Sequence, residues 1–261
     1  MTHQKSALIL GASSGFGEAA SLALAKAGFD IIGVHLDRRG TLPHVEEVVK
    51  QIQAAGRQAY FYNMNAADEV KRQEALEDLQ KKIPAGSVKV LMHSLAFGTL
   101  KPFITEKSEE AITKTQMDMT LDVMANSLVY WTQDLMRRKL LGRGSKIFAM
   151  TSEGSTRVWT SYGAVSAAKC ALESHVRQLS LELGPQGIAV NAIRAGVTDT
   201  PALRKIPGNE AMLEAATRRN PQGRLTTPQD VANTIVALSD ERTLWLTGNI
   251  LGVDGGELIA S

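Results

Sequence analysis

One cysteine, Cys170, stands in the whole chain, so no internal disulfide can form, and a reducing cytoplasm is the compartment that suits it. Lying directly after Lys169, it is expected as a small buried apolar filler, the usual place of a free cysteine. An excess of charge of one sign is also missing. The 29 basic and 27 acidic side chains leave a formal +2, too little to argue for nucleic acid or a membrane surface, and no basic stripe interleaved with aromatics is present. Long apolar runs are absent. The first run, Ser6 to Leu10, is too short for a signal peptide's hydrophobic region or a membrane span. The five histidines are dispersed, none at ligand spacing from another His or Cys, which leaves no metal site; His175 is expected as a core or surface histidine. Ser13 and Ser14 do not form a Gly-x-Ser-x-Gly nucleophile elbow. There are no repeats, low-complexity tracts or linkers. What remains is a soluble globular chain of 261 residues, 44% hydrophobic and 21% charged, of a length that fits one single-sheet α/β domain.

Short β-rich runs alternate with longer helical ones. Strands are expected at Ala7–Leu10, Ile31–His35, Ala59–Tyr62, Val88–His93, Lys146–Met150, Ala189–Arg194 and Ile250–Val253. Helices are expected near Ser14–Ala27, Pro43–Ala55, Ala67–Lys82, Glu109–Leu141, Thr160–Leu183, Glu210–Arg219 and Pro228–Ser239. Gly28 and Gly56 sit at helix stops, and Gly184-Pro185 closes the long helix carrying Lys169. This alternation predicts a single-domain, Rossmann-type, doubly wound parallel sheet of about seven strands spanning 1–261. The stretch Ala195–Asn209 lacks periodicity, and a loop of that length in a compact fold suits a lid, taken as residues 195–220.

Gly11-Ala-Ser13-Ser14-Gly15-Phe16-Gly17 follows the first strand and opens the first helix. Glycines there allow a tight turn and close backbone approach to a pyrophosphate, and the helix N-terminus offers free N–H groups with a partial positive charge. Farther on, Tyr162 and Lys169 stand seven residues apart. At roughly 100° per residue seven steps turn about 700°, so a helix would put both on one face. An ammonium beside a phenol would favour the phenolate and lower the tyrosine pKa.

Together these motifs resemble the short-chain dehydrogenase/reductase family over nearly the whole chain, Val253-Asp-Gly-Gly256 included. The resemblance implies a dinucleotide on Gly11, Ser13, Ser14, Gly15, Phe16 and Gly17, with the adenine capped by Asn63 and Met64. It places His35 at the position, 24 residues after Gly11, where an acid would bind the ribose of NAD. With Arg38 and Arg39 following, NADPH is expected, while Asp37 leaves NADH possible. Several departures from the ordinary family are similar to bacterial enoyl-acyl-carrier-protein reductases. His93-Ser94-Leu95-Ala96-Phe97-Gly98 follows the fourth strand, Ala195-Gly196 replaces Pro-Gly after the sixth, Met124 takes the place of the usual asparagine, and the tyrosine-lysine spacing is seven rather than four. In the ordinary register the tyrosine would fall on Val165, which has no proton to give. The segment Thr200–Asn209 resembles the substrate loop of the NADPH-preferring branch, Ser94, Leu95, Ala96 and Gly196 fall in cofactor-lining segments, and Thr198 and Thr200 resemble contacts to the nicotinamide amide and a nearby phosphate, or are loop hydroxyls making local turns. Ser152, 17 residues before Lys169, sits in the register of the ordinary family's catalytic serine, whereas the best-known enoyl branch has a second tyrosine there.

The resemblance implies reduction of the C2=C3 bond of a trans-2-enoyl thioester on acyl-carrier protein, in fatty acid synthesis, by a cytoplasmic homotetramer. Tyr162, Lys169 and Ser152 are the expected catalytic residues. Arg204 and Lys205 are candidates to meet the acidic carrier. The alternative is a short-chain carbonyl reductase acting on 3-ketoacyl or hydroxysteroid-like substrates with Ser152 and Tyr162. A third, non-enzymatic reading is a cofactor-binding regulator with a decayed site, against which the retained Tyr162, Lys169 and glycine loop argue.

Overall fold

In the computed structural model, which describes residues 4–260, the strands are β1 (Ser6–Leu10), β2 (Asp30–His35), β3 (Ala59–Asn63), β4 (Val88–His93), β5 (Lys146–Thr151), β6 (Ala189–Ala195) and β7 (Ile250–Val253). The helices are α1 (Gly15–Lys26), α2 (Leu42–Ala54), α3 (Glu69–Gln80), α4 (Lys114–Leu121), α5 (Ser127–Arg137), α6 (Gly163–Leu183), α7 (Asn209–Arg219) and α8 (Pro228–Leu238). The strands form one parallel sheet in the order β3-β2-β1-β4-β5-β6-β7, the expected doubly wound α/β fold. Each expected strand is present within a residue of its bounds.

Side chains alternate across a strand, and β1 shows what this does. Leu8 and Leu10 enter one core with Leu91, Ile147 and Val190, covered by Leu76 of α3, Trp131 of α5 and Leu172 of α6. Ala7 and Ile9 enter the other with Val90 and Phe148, covered by Leu24 of α1, Ile52 of α2 and Val231 of α8. Both faces are thus buried, which is why the inner strands read as continuous apolar runs. Gly28 and Gly56 end α1 and α2 with φ of +89° and +74°, the left-handed conformation that closes a helix.

Two helical expectations change. Glu109–Leu141 is not one helix. A capping box between Thr113 and Gln116 starts α4 afresh, and a π-helical segment, Asp122–Asn126, separates it from α5. Within this region the Thr120 and Ser127 hydroxyls donate back to the carbonyls of Gln116 and Val123, the kind of competition that loosens a regular ladder. Thr160–Leu183 starts later than expected: α6 begins at Gly163, leaving Tyr162 as its N-cap.

The strand order reverses between β1 and β4. In open α/β sheets this switch point opens a crevice at the carboxyl ends of the strands, where ligands bind.

Candidate active site

The crevice is lined first by backbone. Gly11 has φ +90°, and a Cβ on it would lie 2.4 Å from the Ser94 carbonyl oxygen across the switch point. A Cβ on Gly17 would lie 2.0 Å from the Gly11 carbonyl oxygen. Both glycines are therefore required for the loop to fold tightly under the first turn of α1, whose N–H groups have no intrahelical acceptor. Ser14 is the N-cap, yet its side chain caps nothing within the helix, and Phe16 packs against the core behind the loop. Such a cradle fits a dinucleotide pyrophosphate.

At the far end of the cradle, His35 ends β2 and is buried, its Nδ1 2.9 Å from Asp37 Oδ2. Burial tends to raise the Asp37 carboxyl pKa, but hydrogen bonds from Thr41, Ser13 and His35 outweigh it and hold the pKa below the usual range. Asp37 is thus a carboxylate already engaged by its neighbours. Arg38 and Arg39 are exposed, and neither guanidinium has a hydrogen-bond or ion-pair partner among the described residues. Asn63 is committed locally: it accepts from the Asp37 N–H at 2.9 Å and donates to the Asp37 carbonyl at 3.0 Å. Met64 is buried beside it.

At the centre, Ser152 and Tyr162 are neighbours where β5 ends and α6 begins, and Lys169 lies about two turns into α6. Ser152 ends the strand's run and accepts from Gly154 N–H at 3.2 Å. Tyr162 packs on Gly154, where a Cβ would meet the ring at 2.5 Å. The residue before it, Ser161, has φ +61°, a left-handed conformation that costs an L-residue roughly 1–2 kcal/mol. Strain of this kind concentrates at functional positions. Burial raises the Tyr162 pKa above its ordinary value, and the neighbouring Ser152 hydroxyl offsets part of the rise. The expected lowering by Lys169 is not found, because the lysine is occupied elsewhere. Its buried ammonium donates to the Met150 carbonyl at 2.7 Å. Burial lowers the Lys169 pKa to about 8, with Glu173 one turn along offsetting part of the effect. Val165 is buried in the core; a Cβ on Gly98 would lie 2.8 Å from its side chain and 2.9 Å from the Met124 sulfur. The positions of the ordinary family's tyrosine and asparagine thus form an apolar wall.

The loop after β6 closes the site. Gly196 admits no side chain, since a Cβ would lie 2.4 Å from the Thr226 hydroxyl. The Thr198 hydroxyl donates to the Gly196 carbonyl at 2.9 Å, and the Thr200 hydroxyl accepts from Leu203 N–H at 3.2 Å. Both hydroxyls therefore make local turns, while the Thr200 methyl packs 3.6 Å from where a Gly15 Cβ would stand. Ser94 and Leu95 are partly buried along the same crevice, and Ala96 and Phe97 are exposed. Phe103 packs over Gly163 at the start of α6, and the Trp159 indole N–H donates to the Pro207 carbonyl at 3.0 Å. Arg204 is engaged rather than free, gripping Asp199 at 2.7 and 2.9 Å, while Lys205 is exposed.

Cys170 corrects the sequence expectation. It is exposed, on the outer side of α6, with its thiol 3.1 Å from the Ser155 carbonyl. His175 is partly buried and bonds Asn126 at 3.1 Å. Among the described residues, no three His, Cys, Asp or Glu side chains gather into a metal-holding group, and no helix is long and apolar enough to cross a membrane. Sequence reasoning quoted His93 only as part of a motif. The structure buries it completely beside the site, with its Nε2 2.9 Å from the Ser127 hydroxyl. Burial, then the Lys169 charge, pushes its pKa down to about 3.

Comparison with known proteins accords with this geometry. Residues 11–257 match the family described as enoyl-(acyl carrier protein) reductase. The enoyl-[acyl-carrier-protein] reductase [NADH] of Aquifex aeolicus is 30% identical over 193 residues, 72% of this chain and 69% of its own. A crystal structure of an A. aeolicus protein of that name superposes with a TM-score of 0.85 over 99% of this chain and 98% of its own, at 24% identity. The 3-oxoacyl-[acyl-carrier-protein] reductase of Thermotoga maritima is 26% identical over 98% of both chains. A short-chain dehydrogenase from Burkholderia cenocepacia, crystallised with NADP, is 26% identical, with a TM-score of 0.82 over 98% of both chains.

Proposed function

We propose that this chain, which belongs to the short-chain dehydrogenase/reductase family and is an oxidoreductase of the NAD(P)(H)-binding kind, reduces the C2=C3 bond of a trans-2-enoyl thioester with NADPH. The observation that carries this reading is the placement of Tyr162. It caps α6 seven residues before Lys169, while Val165, four before Lys169, is sealed in the core. In a ketone the carbon that takes hydride and the oxygen that takes charge are bonded neighbours. In an enoyl thioester they are two carbons further apart, and a donor displaced by about one turn suits that longer reach.

The glycine cradle, in which a Cβ at Gly11 or Gly17 would collide with backbone, fits a dinucleotide. Gly11 to Gly17, with the loops at Ser94–Ala96 and Gly196–Thr200, would hold it. Exposed Arg38 and Arg39 would take a 2′-phosphate. When bound, the cofactor supplies the hydride. The Tyr162 hydroxyl donates a hydrogen bond to the thioester oxygen as enolate charge develops. A phenol whose pKa is raised keeps its proton at neutral pH, which this role requires. Ser152 holds the phenol and is a second donor. Lys169 binds the nicotinamide ribose and brings positive charge beneath the site. Residues 195–220, including α7, serve as a lid, and Phe97, Phe103 and Trp159 give its mouth an apolar rim. Acyl-carrier protein, a homotetramer and a cytoplasmic setting complete the proposal. For carrier contact Lys205 is the available cation, because Arg204 is paired with Asp199.

One observation favours a second reading. Ser152 stands beside Tyr162 where a carbonyl reductase would place its serine, and a 3-oxoacyl reductase is among the relatives. The deciding experiment is NADPH oxidation with a 2-enoyl thioester beside a 3-ketoacyl thioester. Faster turnover of the enoyl substrate supports the first reading, and turnover of the ketoacyl substrate alone replaces it with the second.

A further inference from the structure

Arg219 is the last residue of α7 and lies outside the catalytic trio. Its guanidinium donates to Glu257 Oε1 at 2.7 Å and to the two carboxylate oxygens of Glu153 at 3.3 and 3.4 Å. Each partner leads to a different part of the site. Glu153 is the residue after Ser152 and opens the short 3-10 turn Glu153–Ser155, on whose Gly154 the Tyr162 ring packs. Glu257 is 1% exposed. Its second oxygen accepts from Val197 N–H at 3.0 Å, holding the loop after β6 immediately beyond Gly196. The next residue, Asn220, ties the end of α7 to the same C-terminal segment by donating to the Asp254 carbonyl at 2.8 Å. Arg157, on the exposed side, is 3.6 Å from Glu153. Two guanidiniums and two carboxylates therefore balance in charge, but Arg219 alone bridges both acids.

A carboxylate as buried as Glu257 persists only when paired and hydrogen-bonded. Placing that pairing at the end of α7, rather than within the C-terminal segment, makes the seating of α7 a condition for the order of the loop after β6. The Glu153 arm does the same for the Ser152 turn. All of these contacts are made by one nitrogen, Nη2, so a single group at the end of α7 holds both carboxylates.

We propose that Arg219 is a positioning residue that couples the seating of α7 to the placement of the Ser152 hydroxyl, through Glu153, and of the loop after β6, through Glu257. This rests on Ser152 and the loop belonging to a reductase site, but not on which thioester is reduced.

The test is a set of double-mutant cycles on the full-length protein, using whichever thioester the wild type turns over faster. Arg219→Gln, Glu153→Gln, Glu257→Gln and Ser152→Ala are measured alone, and Glu153→Gln also in the Ser152→Ala background. Readouts are kcat, KM, thermal midpoint and NADPH Kd by cofactor fluorescence. Glu153→Gln should lower kcat by about three- to tenfold in the wild type, and by less than about twofold once Ser152 is gone, the non-additivity of residues acting through one another. Glu257→Gln should weaken NADPH by about three- to tenfold, whereas Glu153→Gln should leave NADPH Kd unchanged. Arg219→Gln should show both effects. The proposal is overturned if Glu153→Gln and Ser152→Ala multiply independently, or if the variants lower only the thermal midpoint while kcat and Kd stay put. Should the wild type reduce neither thioester, the functional reading fails, and the NADPH affinities still decide the Glu257 arm: an unchanged Kd in Glu257→Gln overturns it.

Discussion

In the glycine loop after β1 the crevice is lined by backbone, set by Gly11, Gly15 and Gly17. Where β5 gives way to α6 the candidate groups are side chains: Ser152 just past the strand, Tyr162 at the helix cap and Lys169 within the helix. The first region is tightly packed: a Cβ at Gly17 would overlap the Gly11 carbonyl, at 2.0 Å, and β1 behind it is fully buried. The second depends on a strained residue, a π segment, an ion-pair cluster and a loop whose hydroxyls satisfy themselves. Backbone recognition serves every member of a fold that binds the same cofactor. Side chains hung on deformable segments are where one member departs from another.

The largest expected effect tests the side-chain end. Tyr162→Phe removes one donor and should lower kcat for enoyl reduction by roughly 10²-fold or more, with NADPH Kd nearly unchanged. Full enoyl activity in this variant would remove the central assignment. Gly11→Ala tests the other end: the added Cβ meets the Ser94 carbonyl in a residue with φ +90°. It should weaken NADPH by about tenfold or more and lower the thermal midpoint, as backbone strain of a few kcal/mol requires. A Gly11→Ala enzyme with normal affinity would mean that the cradle is not where the cofactor sits.

A third expectation uses pH. Lys169 has its pKa lowered to about 8 by burial. If its ammonium is needed, kcat/KM should fall as pH rises through about 8, and Lys169→Ala should abolish that limb along with much of the NADPH affinity. Stability should move the other way. Below pH 8 both folded and unfolded chains carry the proton, and the cost of burying it is felt in full. Between about 8 and the ordinary lysine value the folded chain gives it up first, so this group's contribution to stability rises with pH. Activity and stability falling together across that window would show that the lysine is not the group responsible. The smallest effect is expected at Ser161→Gly. Relief of its left-handed conformation should raise stability by about 0.5–1 kcal/mol, after the entropy a glycine loses on folding. An unchanged or lower thermal midpoint would show that the backbone at Ser161 is not strained.

The glycine turn and the sheet were legible in the sequence because both write themselves locally. A glycine pattern between a strand and a helix marks a tight turn, and the buried strands are runs of apolar residues. The substrate end was legible in its residue types but not in their surroundings. Spacing marks Tyr162 and Lys169, and the family resemblance marks Ser152, yet nothing local says that α6 begins only at Gly163, or that the Lys169 ammonium turns to the Met150 carbonyl. The break in Glu109–Leu141 was concealed because α4, the π segment and α5 are each helical in composition. The bridge from Arg219 to Glu153 and Glu257 spans 66 and 38 residues, and no periodicity encodes contacts at such separations. Cys170 was expected inside on the habit of its residue type, but its place on α6 faces outward.

The indole of Trp159, held to Pro207 on the approach to α7, gives the molecule an optical gauge of its own. Trp131 is sealed in the core and Trp245 is 99% exposed, so the emission of neither depends on how that approach is seated. Trp159 alone stands where the segment leading into α7 meets the loop before Tyr162. Its fluorescence therefore reports, without any label, whether that contact is made.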